Sequence, residues 1–202
     1  MASTKTLTET PKHIFNKYIY SENDGSVYHA HQKSVISLEK LIISEVGLPL
    51  HTVRSYFQQI MKAIYTMLEV RVVPGFVTGR DILVDKFKDE IHMIHLGRSS
   101  PTRFLQDGVI CKAPEQYGDN APHAWEPIVV WSLGVLLYQM VIGFDPFLNK
   151  TDAINCVLVP DLLVEFGEDL EILILAMLSK NPAERPSIED IYKDKWLTGA
   201  SL

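Results

Sequence analysis

Between Ile128 and Ile142 the chain offers almost no polar face. Val129, Val130, Trp131, Leu133, Val135, Leu136, Leu137, Met140 and Val141 fall on every side of a 3.6-residue helix. Such a helix has to be surrounded by protein, so the run predicts the buried axis of a helical domain. With 202 residues the chain can bury one sizeable core, and a single domain is the expectation. The run also contains Ser132, Gly134, Tyr138 and Gln139 and falls short of the roughly 18 uncharged apolar residues of a membrane span. No membrane partner is expected from it.

The surrounding pattern fills in that domain. From Thr52 onward, Val53, Tyr56, Phe57, Ile60, Met61, Ile64 and Leu68 make an i, i+3, i+4, i+7 stripe, which predicts a helix to about Leu68. Ser37-Leu38-Glu39-Lys40-Leu41-Ile42 opens a shorter helix capped by Ser34 or Ser37 and broken at Gly47-Leu48-Pro49. Glu22-Asn23-Asp24-Gly25 lies between two aromatic and β-branched runs within 13–30, a hairpin signal. Ile82-Leu83-Val84 and Ile91-His92-Met93-Ile94 predict a second hairpin. Residues 97–125 read as a long irregular segment, a type of loop usually tied to function. Further helices are predicted at 128–142, roughly 151–157, 168–179 and 187–194, separated by Pro146, Pro160 and Asn181-Pro182. The fold class expected is mainly α with two small β-hairpins: 1–12 a disordered N-terminus, 13–202 one domain.

Charge and cysteine content narrow the setting. A formal charge of −6 weighs against non-specific nucleic-acid binding and permits a basic peptide partner. Cys111 and Cys156 are far apart and lack metal-ligand spacing, so a reducing cytoplasm or nucleus is expected, with neither metal nor cofactor. The N-terminus shows no signal-peptide pattern.

Several short motifs occur in a fixed order. Ala113-Pro114-Glu115 precedes Trp131-Ser132-Leu133-Gly134-Val135-Leu136-Leu137-Tyr138, which is followed by Pro146-Phe147, then Arg185-Pro186-Ser187-Ile188-Glu189-Asp190-Ile191 and Lys195-Trp196-Leu197. In this order and spacing the chain resembles the lower lobe of a protein kinase, nearest to the PIM-type serine/threonine kinases, from about Ile14 to Leu197. The resemblance implies a C-lobe-like fold, with 13–30 as remnant upper-lobe strands and hinge. Ile36 to Leu41 followed by Gly47-Leu48-Pro49-Leu50 is also similar to the start of KIND domains, kinase lower lobes used for docking.

The resemblance also marks departures. Phe76 stands at the catalytic carboxylate position, Thr78 at the lysine two residues on, Asp81 at the metal-binding asparagine, and His95 at the metal-holding aspartate. No glycine-rich phosphate loop is present. These substitutions lead to the expectation of a pseudokinase: no enzyme, but a non-catalytic scaffold or adaptor module that recruits another protein or a peptide. The alternative expected is a lobe that mimics and regulates an intact kinase; a residual nucleotide-binding phosphotransferase ranks third.

By the same resemblance Glu115 and Arg185 form the ion pair that staples the activation-segment end to the last helices. Trp125, Phe144 and Phe147 flank the central helix and are candidate interface anchors, although core packing competes for each. Leu83 and Ile94 would line the floor of the adenine pocket and join that candidate interface. His92 and His95 lack a compatible third ligand nearby, so packing or solvation is expected for them.

Overall fold

The computed structural model describes residues 35–94, 112–117, 124–158 and 162–199. The expected hairpin within 13–30, the N-terminal twelve residues, His95 and most of the 97–125 segment lie outside these residues. The described part opens with a short strand, β1 (Val35–Ser37), not anticipated as a strand. It is followed by α1 (Leu38–Glu45) and α2 (Leu50–Glu69). Ser37 is the N-cap of α1, its hydroxyl accepting from the Lys40 backbone N–H at 3.3 Å. The stripe read for α2 is its buried face: Val53, Tyr56, Phe57, Ile60, Met61 and Ile64.

Strands β2 (Ile82–Asp85) and β3 (Glu90–Met93) form the second expected hairpin. β1 pairs antiparallel with β2, making a three-stranded sheet of order β1-β2-β3. A three-residue strand leaves no alternation to read, which is why β1 escaped the sequence pattern. The register sets Leu83 opposite His92 and Ile82 opposite Met93. With a side-chain period of two, Ile82, Val84 and Met93 share one face and are buried. Leu83, His92 and Ile94 lie on the opposite face, half-buried.

α3 (Trp125–Ile142) is the axis of the core, with every residue from Val129 to Leu137 buried. It starts three residues earlier than the apolar run suggested. At 18 residues it is long and apolar enough to cross a membrane, yet 72% of it is buried within the described residues. Packed around or after it come α4 (Lys150–Asn155), α5 (Glu168–Met177), α6 (Ile188–Tyr192) and α7 (Lys195–Thr198).

Where α3 ends, its backbone touches the turn between α1 and α2. The Leu48 N–H donates to the Met140 carbonyl at 2.8 Å. Gly47 and Gly143 both adopt φ +93°, and a Cβ on either would meet neighbouring backbone at 2.6 Å. Only glycine permits this crossing, because it combines a left-handed φ with no side chain. Gly134, in mid-helix, brings α5 close: a Cβ there would meet the Met177 Cβ at 2.9 Å.

Candidate functional site

Three groups of residues make up the candidate site: the segment from Pro74 to Asp81, the outward face of the sheet, and the end of the irregular segment around Glu115. Each is fixed to the core by a different kind of contact.

The segment ahead of β2 is tied to α3 by one buried hydrogen bond, from the Val77 N–H to Ser132 Oγ at 3.2 Å. Ser132 in turn donates to the Val129 carbonyl at 2.8 Å, so its buried hydroxyl both accepts and donates. Phe76 packs partly buried against the core. Thr78 donates its hydroxyl to Asp81 Oδ2 at 2.7 Å, and the Asp81 N–H returns a bond to the Thr78 carbonyl at 3.0 Å. The Asp81 carbonyl accepts from the Ile94 N–H at 2.7 Å, joining this turn to the end of β3. Gly79 lies against α1, where a Cβ would meet the Glu39 N at 2.9 Å, and Arg80 Nε donates to Glu39 Oε1 at 2.7 Å.

The β2–β3 turn draws on polar groups from both ends. Buried Asp85 accepts from the Phe87 N–H at 3.0 Å and the Lys88 N–H at 3.3 Å through Oδ1. Gln59, on α2, accepts from the Ile91 N–H at 3.0 Å and donates to the Asp89 carbonyl at 3.1 Å. Burial, then the hydrogen bond and charge of Asp89, hold the Tyr56 phenol well above its ordinary range.

The third group carries the strongest electrostatics. Arg185 meets Glu115 in a fork, Nη1 to Oε1 at 2.7 Å and Nη2 to Oε2 at 2.8 Å. Its Nε donates to the Ser179 carbonyl at 2.9 Å and Nη1 also to the Pro127 carbonyl at 2.9 Å. The guanidinium side chain is completely buried and its carbon stands 4.9 Å from the Trp131 ring centroid. Phe147 also stacks on Trp131, with centroids 5.5 Å apart. Beside this cluster burial raises the Cys156 thiol, a shift that Arg185 and Lys180 partly oppose.

The candidate interface residues therefore do not gather on one surface. Phe147 is 2% exposed and belongs to the core: its ring is occupied by Trp131, which leaves nothing to offer a partner. Trp125 and Phe144 remain exposed, but they flank opposite ends of α3, a helix about 27 Å long at 1.5 Å per residue. Leu83 and Ile94 lie apart from both, on the sheet. Sequence reading missed Ser132 and Gln59 as tethers, because their partners are 55 and 32 residues away.

The magnesium-nucleotide chemistry of kinases draws on one or two protein carboxylates together with the nucleotide's phosphates. Among the described residues no three His, Cys, Asp or Glu side chains come together as metal ligands. Asp85 is turned into its own hairpin, accepting two backbone N–H groups, and is buried.

Comparison with known proteins corrects the functional expectation. A family model described as a protein kinase domain matches residues 10–197. Serine/threonine-protein kinase pim-2 of Danio rerio is 31% identical over 157 residues, covering 74% of this chain and 49% of that protein. Serine/threonine-protein kinase PSK1 of Saccharomyces cerevisiae is 28% identical over 203 residues, 95% of this chain and 15% of its own length. Serine/threonine-protein kinase prk-2 of Caenorhabditis elegans is 26% identical over 155 residues, 74% of this chain and 35% of that protein. The chain thus spans about half the length of pim-2, and much less of PSK1.

These matches point to a protein kinase, and they overturn the expectation of a non-catalytic interaction module and of a chain that is no enzyme. That expectation weighed four positions one by one, Phe76, Thr78, Asp81 and His95. It gave them more force than a likeness spread along the whole chain.

Proposed function

The chain belongs to the protein kinase domain family, and on that premise we propose that it takes part in phosphoryl transfer to serine or threonine of a protein substrate. The observation that carries this reading is the family match over residues 10–197, together with relatives named as serine/threonine protein kinases. Within the family the PIM-type branch is favoured, since pim-2 shares 31% of its residues over the matched stretch. The described helices and sheet are read as the lower, substrate-side lobe. Its partner is then a protein or peptide presenting a hydroxyl.

In this reading Asp81 takes the duty of proton acceptor. Phe76, at the position the resemblance gives to the catalytic carboxylate, has no atom that can accept a proton. Thr78, donating at 2.7 Å, holds the Asp81 carboxylate in one rotamer. A general base held this way contributes about 10²- to 10⁴-fold to rate.

The test is transfer of labelled phosphate from ATP, with Mg²⁺ supplied, to a library of serine- and threonine-containing peptides. Incorporation is expected, and Asp81→Asn should lower it by about a hundredfold or more while leaving the melting temperature near that of the parent. No incorporation above a heat-denatured sample would overturn the proposal.

A further inference from the structure

Around Tyr117, two ammonium groups crowd one ring. Lys150 Nζ stands 5.0 Å from the ring centroid and Lys112 Nζ 6.0 Å. They come from separate elements: Lys112 from the stretch entering the 3₁₀ turn Pro114–Tyr117, Lys150 from the first turn of α4. Among the described residues neither lysine has a carboxylate partner. Of the described acids adjacent in sequence, Glu115 is engaged with both arms of Arg185 and Asp152 with the Asn149 amide at 2.7 Å.

The ring accounts for some of this arrangement, since a cation gains by lying over a π face. It does not account for the second cation. Like charges at one ring repel, and an anion reaching both relieves the repulsion while forming charge-assisted hydrogen bonds. Lysine suits this task, because its ammonium is a compact charge on a flexible stem that adjusts to a carboxylate or a phosphate. Lys150 is exposed, while Lys112 and Tyr117 are half-buried, so the cluster opens to solvent on the α4 side. The backbone beneath is held firmly by the Glu115–Arg185 fork, two residues before Tyr117.

We propose that Lys112, Lys150 and Tyr117 form a binding site for an anionic side chain of a peptide, a carboxylate or a phosphate ester. This deepens the reading above, and rests on it, by naming a feature of the substrate: an acidic or phosphorylated residue. It departs from the basic peptide partner that the chain's net charge of −6 permits. A local pair of cations decides recognition at contact distance, while net charge acts mainly on encounter.

The experiment measures binding of the full 202-residue chain to three labelled peptides by fluorescence anisotropy. The peptides differ at one position, which carries glutamate, phosphoserine or glutamine. The anionic peptides should bind on the order of tenfold more tightly than the glutamine peptide, the strength of one good charge-assisted contact. Lys112→Met with Lys150→Met should erase that preference, while Lys62→Met, on exposed α2 surface, retains it. Tighter binding of phosphoserine alone assigns the site to phosphate, and equal gains assign it to either anion. Equal binding of all three peptides, or a preference that survives in the double variant, would refute the site. Because the readout is binding, the anion site stands or falls separately from phosphoryl transfer.

Discussion

The core around α3 and the turn that carries Asp81 are held by opposite means. Around Trp131 the chain buries a helix on all sides, packs both Phe147 and Arg185 against its ring, and closes the cluster with a two-bond fork to Glu115. The Asp81 turn has no such mass. One buried hydrogen bond from Val77 to Ser132, a hydroxyl contact from Thr78, a backbone bond to Ile94, and the Arg80–Glu39 pair with Gly79 against α1 hold it. The contrast separates two tasks: apolar burial supplies stability without direction, while a few polar contacts give position to a segment that must stay accessible.

Breaking the first region should have the largest effect. Arg185→Ala strands the Glu115 carboxylate and leaves the Pro127 and Ser179 carbonyls without their donor. Removing one partner of a buried pair costs about 3–5 kcal/mol, which for a domain of this size lowers the melting temperature by roughly 6–20 °C. Arg185→Lys recovers only part of it, because a single ammonium cannot reproduce the fork. A calorimetric midpoint for Arg185→Ala within a degree of the parent would contradict this account of the cluster.

The second region should respond locally. Ser132→Ala leaves the Val77 N–H buried without an acceptor, a loss of about 1–3 kcal/mol. The sharper readout is amide hydrogen exchange. Amides from Val77 to Asp81 should exchange faster while those of α3 and α5 keep their protection. Uniform acceleration across the domain would mean that Ser132 belongs to the core and not to the tether.

The smallest effect expected is at the surface, and it depends on pH. Ser187, by its hydroxyl first and its backbone N–H second, holds the exposed Asp190 carboxyl below the ordinary carboxylate range. A carboxyl lowered on folding favours the native state at pH values above its unfolded pKa. That contribution is lost as the pH falls from the unfolded value through the lower native one. Ser187→Ala should move the Asp190 titration upward, followed by NMR on its side chain, and slightly raise the pH of acid unfolding. An Asp190 titration that does not move would show that the capping box of α6 does not set it.

How much could be read in advance follows the same division. The apolar stripe of α2, the faceless α3, the Ser37 cap, the Gly47-Leu48-Pro49 break and the β2–β3 hairpin all depend on residues close in the chain, and all were visible. The edge strand β1 was not, because three residues carry no period. For Phe147 the sequence left core packing and an interface role both open, with core packing favoured, and its 2% exposure bears that out. Most of the site was hidden for a further reason. Ser132, Gln59, Lys112 and Lys150 are ordinary polar residues until the fold brings a distant partner to them.

By itself, the order of apolar and turn-forming residues determined a helical domain with a buried axis and the succession of kinase-like motifs along it. Burial free energy sums over many residues, so that pattern survives the loss of any one of them. Tertiary structure alone decided which polar groups meet: Val77 with Ser132, Arg185 across Trp131, two lysines at Tyr117. Hydrogen bonds and charge contacts act over a few ångströms, and that distance is a property of the folded chain.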